Sequence, residues 1–218
     1  IEQIVALRPD LVIETTFHSP ELVGYLRSLG INVYVYPTLA TIPDIERAIA
    51  GLGAAVGESA AATELIAGME RELAEITARL STVPRKNIRA LHMDSDVAYY
   101  AKHISLNDIY ARAGIKNVTN ELNSDLTRFL SKEEIVALDP ELILLTDWGS
   151  YAKEGVAGQK AMIMADPAYQ TIQAVRKEAI FGVQGKHLLT TSHYIVRGVR
   201  DVAKIAYPEA FDKGKDGE

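Results

Sequence analysis

Cysteine is absent from the 218 residues. That excludes zinc sites built on thiolates and any thiol chemistry, and it is compatible with an oxidising compartment, where a stray thiol is a liability. Positive charge is scarce. Lys and Arg number 23 against 29 Asp and Glu, leaving a net charge of −6 with no basic block. A nucleic-acid binder presents a clustered positive face, so nucleic acid is excluded as a partner. No apolar run reaches the eighteen or so residues needed to span a bilayer. No phosphate-cradling loop is found either: GLGAAVG at 51–57 has the glycines but follows a helix instead of a strand, and the dinucleotide fingerprint requires the strand. A G-x-S-x-G nucleophile elbow is also missing. The chain opens at Ile1, inside an amphipathic helix, with neither an initiator Met nor a signal peptide. It reads as a mature or trimmed chain whose upstream part is absent.

What is present is ordinary in bulk and specific in pattern. Hydrophobic residues make up 48% and charged residues 24%, which fits a soluble globular chain long enough for one large or two small cores. LVIETT (11–16) reads as a strand. SPELVGYLRSLG reads as a helix with Ser19 as N-cap, Pro20 at its first position and Gly30 past its end. INVYVYP (31–37) is a second strand, and TIPDIERAIAGLGAAVG a further helix. Beyond residue 84 the alternation resumes. IRALHM (88–93), ELILLTD (141–147), IFGV and LLTT read as strands. SLNDIYARAG is a helix with Ser105 and Asp108 in capping-box positions, SKEEIVALD a helix with a Ser131–Glu134 box, and YIVRGVRDVAKIAYP a final helix stopped by Pro208. This β-α order implies parallel strands with helices on the sheet faces.

Between the two stretches lies one long helix, residues 59–80. Ile66, Met69, Leu73, Ile76 and Leu80 recur at spacings of 3, 4, 3 and 4, giving a single apolar stripe. At 1.5 Å per residue it extends roughly 33 Å. It is either a packed surface helix or also a rigid strut between two lobes. The resulting division is a first lobe over 1–57, a linking helix over 58–83 and a second lobe over 84–218.

A repeat ties the two lobes together. EQIVALRPDLVI (2–13) returns as EEIVALDPELIL (133–144) at a constant offset of 131, and seven of the twelve pairs are identical. Two copies at so long a period do not make a solenoid. They fit two lobes with pseudo-twofold symmetry, although a helix-corner-strand of this kind is also a common way to pack a helix onto a parallel sheet.

Taken together, the two copies, the long helix between them and AGIKNV at 113–118 resemble the substrate-binding proteins of ABC importers for ferric siderophores, haem and cobalamin. The resemblance covers nearly the whole chain. It implies an α/β fold of two Rossmann-like lobes with parallel sheets joined by one long rigid helix, with a ligand held in the cleft between them. The first lobe is expected to lack its initial strands. The resemblance also implies a role for Glu2 and Glu133, the acids that open the two copies: each would dock on arginines of one subunit of an ABC permease dimer. A symmetric permease meets equivalent acids only on a protein that repeats them. Alternatively each carboxylate simply favours the helix dipole of its first turn, and Glu134 could dock in place of Glu133.

Ligands of open α/β sheets bind beyond the carboxyl ends of the strands, and that rule selects four loops. They carry His18; Tyr99, Tyr100, Lys102 and His103; Trp148, Tyr151 and Lys160; and His193, Tyr194 and Arg197. The aromatics would stack on a flat or greasy ligand, and Lys and Arg would neutralise carboxylates or catecholates. His or Tyr could ligate haem iron. His18 and His193 either wall the cleft or neighbour a helix-start cap. His92 reads as a core residue, His187 as a solvated turn residue, and Tyr34 and Tyr36 as packing.

The function expected is therefore extracytoplasmic capture of a metal chelate (a ferric siderophore, haem or corrinoid) and its delivery to an ABC permease, without catalysis and without a resident cofactor or metal. The protein would be periplasmic or a membrane-anchored lipoprotein. The alternatives are a relative that binds an oxyanion or metal ion, and a chelatase-like enzyme, for which His18 with Glu14 or Glu21 is the only His/Glu pair at hand.

Overall fold

The computed structural model describes residues 1–15, 20–84, 86–94, 97–100, 104–122, 127–149 and 154–212, with Tyr99 and Tyr100 described by backbone alone. The chain divides into two compact units, Ile1–Gly68 and Met69–Glu218.

The first unit runs α1 (Glu2–Ala6), β1 (Leu11–Thr15), α2 (Pro20–Ser28), β2 (Asn32–Tyr36), α3 (Ile42–Ala55) and the start of α4 (Ser59–Leu80). β1 and β2 pair in parallel, Leu11 opposite Asn32 through Thr15 opposite Tyr36. Gly30, at φ +79°, turns the chain from α2 into β2. The start of α3 is fixed by a full capping box: Asp44 N–H donates to Thr41 Oγ1, and Thr41 N–H donates to the Asp44 carboxylate. Leu26, Ile42, Ile45 and Ala48 form its buried core. Where α3 approaches α4, a Cβ on Gly53 would lie 2.5 Å from that of Ala62, so only glycine fits there. The expected cap Ser19 lies outside the described residues.

The second unit contains the last turns of α4, β3 (Ile88–Met93), β4 (Tyr99–Tyr100), α5 (Ser105–Arg112), β5 (Ile115–Asn117), β6 (Arg128–Phe129), α6 (Lys132–Leu138), β7 (Leu142–Asp147), α7 (Gly155–Ala165), α8 (Gln173–Arg176), β8 (Ile180–Gln184), α9 (Gly185–Leu188) and α10 (Ile195–Ala206). β3, β5, β7 and β8 form one parallel sheet in the order β5-β3-β7-β8. Alternation along the strands sorts the side chains. Leu91, Met93, Ile143 and Leu145 join Ile135, Leu138, Ile163 and Val175 in one core layer, while Ala90, His92, Leu144 and Thr146 face the other way. The helices α5 and α10 pack on each other, and Ile109 and Tyr110 of the one and Val199 and Val202 of the other are buried. α4 is bound to this unit through charge as well: Arg200 of α10 pairs with Glu72 and Glu75.

Four expectations need correction. LLTT is not a strand, because β8 is followed at once by the helical turn α9. Leu188 ends that turn, buried, and Leu189 and Thr190 follow in irregular backbone. Ser105 and Asp108 do not cap α5. Its N-cap is Ile104, with no side-chain cap, and Asp108 pairs with Arg112 one turn on. His187 is not merely solvated, since its Nδ1 sits 2.8 Å from the Asp201 carboxylate and the ring is mostly buried. Lys160 lies within α7 and donates to the Glu178 carbonyl, not into a loop site. The antiparallel pair β4-β6 was not anticipated. Among the described residues no helix is long and apolar enough to cross a membrane.

Candidate functional site

Strand order decides where the second unit can bind. The chain leaves β3 toward β5 on one side and returns to place β7 on the other side, so the loops after β3 and β7 diverge. A crevice opens at such a switch point, outside the carboxyl ends of the strands. The side chains there meet in pairs. His92 Nε2 lies 2.7 Å from Thr146 Oγ1, and Trp148 Nε1–H donates to Asp94 Oδ1 at 3.3 Å. Burial drives the His92 imidazole down to about 4, against the opposing pull of the Asp94 charge, so the ring is neutral at pH 7 and serves as a hydrogen-bonding strut.

A cavity of about 650 Å³ lies at the ends of β7 and β8, lined among others by Asp147, Trp148, Gln184, Lys186, Leu189 and Tyr194. That is the size of an ordinary small-molecule site. Asp147 is oriented by its own turn, accepting from the Gly149 N–H at 2.8 Å. Tyr194 is the N-cap of α10. The His193 ring packs beside it at 4.0 Å between centroids, and the Arg197 guanidinium lies over its face at 4.6 Å. A second depression of about 510 Å³ is lined by Asp94, Val97, Thr127, Arg128 and Phe129. The Asp94–Trp148 hydrogen bond joins the linings of the two. Arg128 contributes little free charge there because Glu134 grips it with both oxygens, at 2.9 and 2.6 Å.

Of the expected site residues, Trp148 and Tyr194 share the cavity, with His193 and Arg197 flanking Tyr194. Tyr99 and Tyr100 sit in β4, paired through the backbone with Phe129 and Arg128. His18, Lys102, His103 and Tyr151 lie outside the described residues. Asp94, Asp147, Lys186, Leu189 and Thr190 were missed. Lys186 was within reach of the strand-end rule: with β8 ending at Gln184, the loop to inspect begins at Gly185. Reading LLTT as a strand moved the search seven residues too far, to Ser192. Among the described residues no group of three or more His, Asp or Glu side chains is placed to hold a metal ion.

The two repeat acids occupy matching places. Glu2 is the first residue of α1 and Glu133 the second of α6, both exposed. The Glu133 carboxyl is held below the usual carboxylate range by its own backbone N–H and by the Ser131 hydroxyl. Glu134 is the capping residue. Its bond to Arg128, followed by the Ser131 N–H, brings it down to about 2.

A parallel α/β unit with an aromatic, mixed-charge cavity at the carboxyl ends of its strands has the form of a small-molecule site. The model of the periplasmic binding protein family matches residues 1–186, and the chain belongs to that family. Among its relatives is an ABC transporter substrate-binding lipoprotein of Bacillus subtilis, YvrC, 23% identical over 97% of this chain and 66% of its own length. A cobalamin-binding protein of Halobacterium salinarum is 26% identical over 66% of this chain and 39% of its own. The chain thus spans from about two-fifths to just under two-thirds of the length of these relatives. Similar solved structures include a periplasmic binding protein from Veillonella parvula (TM-score 0.79, 21% identity, 95% of this chain and 73% of that one). Another is the periplasmic haem-binding protein RhuT from Roseiflexus sp. RS-1 (TM-score 0.78, 22% identity, 96% and 80%). At such identities they speak for the fold alone, the α/β architecture with parallel sheets. The named relatives are binding and transport proteins, not enzymes.

Proposed function

We propose that the protein captures a metal chelate (a ferric siderophore, haem or corrinoid) outside the cytoplasm and delivers it to an ABC permease. The observation that carries this reading is the cavity at the carboxyl ends of β7 and β8, where Trp148 and Tyr194 supply aromatic rings and Lys186 a cation, with the Arg197 guanidinium over the Tyr194 ring beside it. A flat, anionic guest matches that pairing of stacking surface and positive charge. The names of the relatives support it: one is an ABC substrate-binding lipoprotein, one binds cobalamin and one binds haem. Release to a permease is assigned to Glu2 and Glu133. Of the neighbouring acids in the second copy, Glu134 is engaged by Arg128 while Glu133 is exposed, which favours Glu133 for docking. Location as a periplasmic protein or anchored lipoprotein follows from the same role.

The test is titration of the intact protein with haemin, cyanocobalamin, ferric siderophores and molybdate, followed by visible spectra and calorimetry. Binding of one chelate, weakened at least roughly tenfold by Trp148→Ala or by Arg197→Ala, is the expected result. Binding of molybdate alone would transfer the protein to the oxyanion reading, and failure of every chelate would end the proposal. For docking, the double variant Glu2→Ala/Glu133→Ala should keep its chelate affinity and lose uptake in cells.

A further inference from the structure

Two side-chain rungs cross from β3 to β7 with the same offset in sequence, His92 to Thr146 and Asp94 to Trp148. Each partner lies two residues beyond the last, so both rungs stand on one face of the sheet. A third constraint comes from the start of α9. A Cβ on Gly185 would lie 3.0 Å from Thr146 Cγ2, 3.1 Å from Trp148 Cε3 and 3.2 Å from Trp148 Cζ3. The indole therefore rests directly on bare backbone, in contact that a side chain at 185 would crowd. Its N–H edge is tethered by Asp94, its flank is supported by Gly185, and Thr146 beneath is itself pinned by the buried, neutral His92. A partly exposed tryptophan on a loop ordinarily has several rotamers open to it, and a ligand that stacks on it must first immobilise it. This one is already fixed at edge and flank, and its remaining surface borders the cavity.

We propose that Asp94 and Gly185 are positioning residues that preorganise the Trp148 indole as the stacking platform of the ligand site, with the His92–Thr146 rung as its footing. The inference rests on the chelate-binding reading above and adds to it the residues that set the platform.

The experiment labels the intact protein with 5-fluorotryptophan and assigns as Trp148 the fluorine resonance that Trp148→Phe removes. In ligand-free protein, Asp94→Ala is expected to shift and broaden that resonance, and Asp94→Asn, whose amide oxygen can accept the same N–H, to restore it. Gly185→Ala should displace it by a separate route. Affinity for whichever of haemin, cyanocobalamin or ferric enterobactin binds wild type most tightly should fall roughly tenfold in Asp94→Ala, the worth of one lost neutral-to-charged hydrogen bond at the low end, and recover in Asp94→Asn. In the Trp148→Phe background, which has no N–H to tether, Asp94→Ala should cost less than about twofold by the same reasoning. An unchanged resonance in Asp94→Ala, no rescue by Asp94→Asn, or an equal loss in the Phe background would each overturn the proposal. If wild type binds none of the three chelates, the functional reading fails instead, and the ligand-free resonance still decides whether Asp94 and Gly185 hold the indole.

Discussion

Residues 2–13 and 133–144 carry nearly one sequence and end in two environments. Locally they agree. Each forms a short helix, then a corner, then a parallel strand: α1 into β1, and α6 into β7. Even the corner backbone repeats, since Arg8 and Asp139, equivalent at the offset of 131, are both left-handed, at φ 45° and 39°. Burial separates them. Leu138 is 6% exposed and its counterpart Leu7 80%; Leu144 is fully buried while Ile13 is 48% exposed. The cause lies outside the repeat. β7 has strands on both sides and helices over its faces, whereas among the described residues β1 pairs with β2 alone. The corner of the second copy is also tied down from elsewhere: Arg89 donates to the Leu138 carbonyl at 2.6 Å, and the Asp139 carboxylate accepts from the backbone and side chain of Gln173. Local sequence selects the backbone path, and long-range neighbours decide how much that path contributes to stability.

The contrast is sharpest in paired truncations. Leu144→Ala should cost roughly 3 kcal/mol, by loss of transfer energy and creation of a cavity, while Ile13→Ala should cost under about 1 kcal/mol. Hydrogen exchange of the peptides spanning β7 and β1 measures each locally, and equal losses would break the comparison.

Acid should also divide the units. The described buried polar side chains, His92, Asn117, Thr119, Thr146 and Gln159, all lie in the second unit. His92 is held down to about 4 by burial, so between that value and the ordinary 6.5 the unfolded chain binds a proton that the folded one refuses. Stability contributed by this site is intact above about pH 6.5 and falls as pH drops toward 4, by on the order of 3 kcal/mol in all. Denaturant melts at pH 7 and pH 4.5 should show the loss in wild type and a much smaller one in His92→Gln. A pH slope untouched by that substitution would place the acid sensitivity elsewhere.

Smaller effects probe the helix starts and corners. Ser131→Ala removes the hydroxyl that accepts from Glu134 N–H and should cost about 1 kcal/mol; α1 has no side-chain cap to lose. Arg8→Gly relieves a left-handed residue and should gain about 0.5 kcal/mol once the entropy of glycine is counted. Asp139→Gly relieves the same strain but gives up two bonds to Gln173, so it should be destabilising by about 1 kcal/mol. Opposite signs for these two glycines in thermal melts are the finest test of the contrast.

Much of the fold was legible because it is written in short-range signals. The stripe from Ile66 to Leu80 specified α4, the Ser131 box specified the start of α6, and Gly30 marked the end of α2. The errors came where one turn of backbone depends on distant packing. Leu188 reads as strand until the core beneath it is known, and His187 reads as solvated until Asp201 of α10 is set beside it. The site was half legible for the same reason. Trp148 and Tyr194 announce themselves by type and by loop position, whereas Asp94, Gly185 and Lys186 are unremarkable residues until their neighbours are known.

The sequence by itself determined the alternation of strand and helix, the repeated corner and the acids that open it, because hydrophobic period, caps and turn residues act over a few positions. Only the tertiary structure decided that one copy is core and the other surface, and that His92 and Asp94 face Thr146 and Trp148 across 54 residues of chain. Burial and side-chain pairing across the sheet depend on strand order, and strand order is fixed by contacts between segments that no local pattern encodes.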